Sequence, residues 1–117
     1  MIEISTRLVF LFKTFVIKIP LSRRGYLQGK NEKMLYNKYK HVGILGELKW
    51  EFAGVVCMKR YKAAHVLDEY DVRYAKSKIP ELKIENCDLY NIANWGVENH
   101  RSYLIDYGIN EYISTLY

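Results

Sequence analysis

Three oxygen-bearing side chains late in the chain, Asp88, Asn94 and Asp106, have types and spacing that could do chemistry. An aspartate and an asparagine are hard oxygen ligands suited to Mg²⁺, an ion usually shared with substrate phosphates. A second aspartate, not holding metal, can accept a hydroxyl proton. The stretch that contains all three runs from Cys87 to Gly108. Asp88 opens a polar loop, and Asn94 closes it before a short strand. Asn99-His100 makes a turn. A second strand, Arg101 to Ile105, delivers Asp106 and then Gly108. Such a hairpin holds Asp88, Asn94 and Asp106 close together on one side.

At these residues the chain resembles the protein-kinase-like superfamily, which includes protein kinases, aminoglycoside and choline phosphotransferases and small kinase-like proteins of bacteriophages. Their pattern is Asp-x-x-x-x-Asn, a β-hairpin, then Asp-Phe-Gly or Asp-Tyr-Gly. The resemblance implies that Asp88 is the catalytic aspartate. It implies that Asn94 and Asp106, the latter in Asp106-Tyr107-Gly108, hold Mg²⁺. The spacing departs by one residue, because Ala93 sits where the asparagine falls. Glu85, Asn86 and Cys87 fill the place of the histidine common before the aspartate. An Asn-turn hairpin with surface aspartates is the competing reading of the same stretch.

Upstream, Arg7 to Ile19 is rich in β-branched and aromatic residues and reads as two strands with a tight turn near Lys13-Thr14. Pro20 ends the second strand. Phe15-Val16-Ile17-Lys18 is similar to the kinase strand whose lysine holds the α- and β-phosphates of ATP. Leu21 to Lys30 reads as a loop, with Arg23 and Arg24 beside Gly25 as phosphate contacts or as solvated charges. A helix is expected from Asn31, with Glu32, Leu35, Tyr36 and Tyr39 on one face. A glutamate on an apolar face needs a partner, and Lys18 is the natural one. By the resemblance, Glu32 orients Lys18. The alternative is a first-turn glutamate favoured by the helix dipole.

Gly43 to Gly46 breaks the helix. Leu48, Trp50 and Phe52 alternate with charged residues as a half-buried strand. Ala53-Gly54 turns the chain into a strand from Val55 to Met58. Lys59-Arg60-Tyr61 then takes the place of the kinase hinge, with Met58 or Cys57 at the back of an adenine pocket. Ala63 to Ala75 reads as a helix, Lys76 to Lys83 as a loop, and Ile109 to Tyr117 as a terminal helix. His65 stands alone and suggests no ligand site.

Length and composition set the outer limits. The 117 residues suggest a single compact domain, 1–117, with residues 1–61 as an N-lobe-like sheet and helix and 62–117 as a reduced C-lobe-like part. Half the residues are hydrophobic, which argues against disorder. The net charge of +5 is compatible with nucleotides and other anions. No apolar run approaches the roughly 20 residues of a membrane span. Cys57 and Cys87 lack metal or disulfide spacing and fit a reducing cytoplasm, a host's if the chain is phage-encoded. No glycine precedes Gly25, so the Gly-rich loop of kinases has no counterpart between the first two strands. The chain ends nine residues after Gly108, without a substrate-binding lobe.

The expected fold is therefore α+β, a truncated kinase-like form with an antiparallel sheet, one helix and a catalytic-loop hairpin. The expected function is a miniature phosphotransferase using ATP and Mg²⁺, with Lys18 and Glu32 binding nucleotide. A second reading is a kinase-like protein without catalysis that binds and modulates or inhibits a host protein, with tyrosines, eleven in all, suited to an adhesive surface. A third is a basic nucleic-acid-binding module, although no recognised motif organises its charges.

Overall fold

The β-branched and aromatic residues near the N-terminus pair as expected. In the computed structural model, which describes residues 7–83 and 89–107, strands β1 (Arg7–Leu11) and β2 (Phe15–Pro20) form an antiparallel hairpin. Arg7 lies opposite Pro20, and Val9 opposite Lys18. Alternation sends Arg7, Val9 and Leu11 to one face of the sheet and Leu8 and Phe10 to the other. The turn between the strands is held by Phe12 stacked on Phe15, with ring centroids 4.7 Å apart.

Helix α1 (Arg23–Tyr39) begins eight residues before Asn31. The Ser22 hydroxyl caps it by accepting from the Gly25 N–H at 3.3 Å. The expected loop from Leu21 to Lys30 is thus mostly helix. The buried positions Gly25, Gln28, Gly29, Glu32 and Leu35 show why. They form one stripe at three- and four-residue spacing, and glycines occupy part of it. A Cβ on Gly29 would collide with the Gly54 carbonyl oxygen. Gly29 thus permits close approach to a turn instead of breaking the helix.

That turn joins β3 (Leu48–Phe52) to β4 (Val55–Lys59). Ala53 and Gly54 both have positive φ, 51° and 85°, the backbone a two-residue hairpin turn requires. The sheet order is β1-β2-β4-β3. Register shifts between Leu48 and Trp50, so the simple alternation expected for β3 breaks there. Leu48 is buried, while Trp50 and Phe52 are exposed.

A second antiparallel sheet contains β5 (Lys62–Ala63), β6 (Trp95–Glu98) and β7 (Arg101–Leu104), in that order. Asn99 and His100 make the β6–β7 turn with φ of 52° and 66°. The helix expected over Ala63 to Ala75 starts later. Lys62 and Ala63 pair with Val97 and Gly96, and α2 spans Glu69–Lys78. Asp68 caps it by accepting from the Tyr70 N–H at 2.9 Å. The expected loop after Ala75 is the last turn of α2 and a 3-10 turn, Pro80–Lys83.

The two sheets are joined through the segment after α1. The Gly46 N–H donates to Leu104 O at 2.7 Å, and the Leu104 N–H to Ile44 O at 2.8 Å. One apolar cluster runs through both parts, from Leu35, Leu48, Val56 and Met58 to Val72, Leu82, Trp95 and Leu104. The fold among the described residues is α+β with two α-helices and antiparallel sheets. No helix among them is long and apolar enough to cross a membrane. Asp88, Cys87, Gly108 and the expected terminal helix lie outside the described residues.

Candidate functional site

The strongest electrostatic feature is a glutamate in the interior. Glu32, on the buried stripe of α1, is 0% exposed. Arg7, at the start of β1, donates to both its oxygens, Nη1 to Oε1 at 2.7 Å and Nη2 to Oε2 at 3.2 Å. The Lys18 ammonium lies 3.6 Å from Oε2. Burial would push the Glu32 carboxyl up. The Arg7 and Lys18 charges, the Arg7 hydrogen bonds and a bond from the Tyr107 backbone together win, and hold it below the ordinary carboxylate range.

Asp106 joins this group from the hairpin side. It lies two residues past β7, after Ile105, and its Oδ1 is 3.3 Å from Arg7 Nη2. Lys18 is tied to the same segment, donating to Ile105 O at 3.0 Å. Arg7 and Lys18 therefore face Glu32 and Asp106 as a four-charge cluster with no net charge. Asn94 is close by in the backbone, since the Ile105 N–H donates to Asn94 O at 2.8 Å.

Lys18 and Asp106 of this cluster line one end of a cleft of about 380 Å³, with Arg7 and Glu32 behind them. Val9, Leu11 and Val16 line it from the first sheet, and Ile92, Ala93 and Ile105 from the hairpin side. Met58 lies at its back, while Cys57, its neighbour on β4, does not line it. The other end is the strand connection Lys59-Arg60-Tyr61. There the Arg60 N–H donates to Thr14 O at 3.1 Å, and the Lys59 N–H to Glu47 O at 2.9 Å. Lys59 also pairs with Glu98 at 2.7 Å, and Tyr61 stacks on Tyr103. The cleft is apolar in its middle and lined by charged side chains at both ends, Lys18 and Asp106 at one and Lys59 and Arg60 at the other.

Of the residues singled out from sequence, Lys18, Glu32 and Asp106 meet here, and Asn94 adjoins them through its backbone carbonyl. Arg23 and Arg24 lie on the first turn of α1, not in a loop. Arg7 was missed. The available signal was parity, because Arg7 shares the cleft-facing alternation of Val9 and Leu11. Its position at the edge of an apolar run gave no hint of a buried partner.

A divalent ion fits this donor set poorly. No group of three or more His, Cys, Asp or Glu side chains converges among the described residues. The Asp106 carboxylate, with 34% of its side chain exposed, already accepts from a guanidinium. A metal on Asp106 would sit beside Arg7 or displace it.

No family model, curated protein or solved structure matches the chain.

Proposed function

We propose that the chain is a miniature kinase-like protein whose cleft takes a nucleoside triphosphate, the base at the Lys59–Tyr61 end and the phosphates at Lys18. The observation that supports this most is the pairing of a strand lysine with a fully buried helix glutamate at 3.6 Å, beside Asp106, which shares Arg7 with that glutamate. A buried carboxylate is costly unless paired, so the pair fixes Lys18 at one charged end of the cleft. In its catalytic form this reading is an ATP-dependent phosphotransferase with Asp88 as proton acceptor, and the Mg²⁺ that the resemblance assigns to Asn94 and Asp106 would have to displace Arg7 from Asp106. Positioning and electrostatics dominate that chemistry.

The Arg7–Asp106 contact favours a second form, a kinase-like binder without transfer that modulates a host protein. The nucleic-acid reading gains no comparable support, since lysines such as Lys30, Lys38 and Lys59 are paired with carboxylates.

The test is nucleotide binding by calorimetry, then phosphate transfer to any acceptor, the protein itself included. The transferase form expects Asp88→Asn to spare binding and to lower transfer by about 10²–10⁴-fold, the usual range for a general base. Binding without transfer by wild type selects the second form. Absence of both nucleotide binding and transfer rejects the nucleotide cleft and the transferase form, and leaves only the binder of a host protein.

A further inference from the structure

The geometry points to a triphosphate site in this cleft that needs no divalent metal, with the Arg7 guanidinium neutralising Asp106 as a metal would otherwise do. This rests on the reading that the cleft takes a nucleotide.

A phosphate drawn to Lys18 meets the Asp106 carboxylate, which lines the same end of the cleft. Two anions at one end of a partly buried cleft repel, so a cation beside the carboxylate favours binding. Arg7 is already there. Its two contacts with Glu32, at 2.7 and 3.2 Å, lock the planar fork in place. Nη2 then reaches Asp106 at 3.3 Å. The guanidinium charge is permanent at any working pH.

The same arrangement releases Lys18 for ligand. Arg7 satisfies Glu32, so the Lys18 ammonium is held at 3.6 Å, beyond hydrogen-bond range, and donates to Ile105 O at 3.0 Å. An ammonium has three donors, which leaves capacity for phosphate oxygens. A metal ion on Asp106 would place two or more positive charges beside a guanidinium that the buried Glu32 does not let go. The ligand class is therefore a metal-free nucleoside triphosphate.

Calorimetry with ATP, in EDTA and in excess Mg²⁺, tests this on wild type, Asp106→Asn and Arg7→Gln. Wild type is expected to bind ATP in EDTA within about threefold of its affinity in Mg²⁺. Asp106→Asn removes the carboxylate and is expected to keep or tighten metal-free binding. Arg7→Gln exposes Asp106 to the phosphates and is expected to weaken metal-free binding at least about tenfold, with Mg²⁺ restoring part of it. If Arg7→Gln fails to fold, wild type and Asp106→Asn still decide. Wild-type binding that falls about tenfold or more in EDTA and is lost in Asp106→Asn overturns the inference and leaves the nucleotide reading standing. No ATP binding in either buffer overturns both.

Discussion

Glu32→Gln is the sharpest probe of the interior. The substitution keeps the side-chain volume and one acceptor oxygen but removes the charge between Arg7 and Lys18, whose side chains are only 6% and 11% exposed. Removing one partner of a buried ion pair costs about 3–5 kcal/mol, because the other charge stays buried and uncompensated. The amide retains one hydrogen bond to Arg7, so the lower end, about 3 kcal/mol, applies. Each kcal/mol shifts Tm by roughly 3–6 °C for a chain of this length. Thermal unfolding at pH 7 should therefore show a loss of roughly 10–15 °C.

The pH dependence supplies an independent check. The folded Glu32 carboxyl lies below its unfolded value, because the two cations outweigh the effect of burial. A depressed carboxyl contributes stability that is fully present above the unfolded pKa, about 4.3, and is lost as pH falls through the folded pKa. The Tm gap between wild type and Glu32→Gln should be widest near neutrality and narrow below about pH 4. Circular dichroism melts from pH 7 to pH 3 on both proteins measure this. A gap below about 1 kcal/mol at pH 7, or one constant across the range, refutes the reasoning.

Two further outcomes are expected. Lys18→Met should cost little stability, under about 2 kcal/mol, because Arg7 still satisfies Glu32; on the proposed reading ATP should raise the Tm of wild type and not of this variant, read by thermal shift. Gly29→Ala should lower Tm despite a helix-propensity gain of about 1 kcal/mol, because its Cβ meets the rigid Gly54 carbonyl and overpacking costs about 1–3 kcal/mol; a more stable variant would show that α1 and the β3–β4 turn are not in such close contact.

Much of the first sheet was legible because strand signals there are local. β-branched alternation, Pro20 and the Ala53-Gly54 and Asn99-His100 turns mark their own positions. Helix starts were less legible. Gly25 and Gly29 read as loop punctuation in sequence, while in the fold the lack of a Cβ at Gly29 is what lets α1 approach Gly54. The α2 boundary failed because Lys62 and Ala63 are claimed by a partner, β6, more than thirty residues away. The Lys18–Glu32 contact was legible because both positions sit on predictable faces. Arg7 was not, since its two carboxylates come from α1 and from the segment after β7, and only tertiary packing brings them to one guanidinium.

The direction of the strands explains how so short a chain makes an end-to-end polar cleft. On β1, Leu11 and Val9 are apolar and Arg7, on the same face, is charged. On β2, Val16 is followed at the next position of that face by Lys18. After β7, apolar Ile105 is followed by Asp106. The Arg60 side chain donates to Phe12 O at 2.9 Å, which fixes the β1–β2 turn at the Lys59–Tyr61 end, away from Arg7 and Lys18. That turn therefore cannot cover phosphates, and its lack of glycine says nothing about their binding. Three chain segments each run from apolar to charged toward the same end, while Lys59 and Arg60 line the other end. If the proposed nucleotide binds, substitutions at Lys18 and Asp106 should change its affinity more than substitutions at Lys59 or Arg60, because the latter two are already held by Glu98 and by Phe12 O.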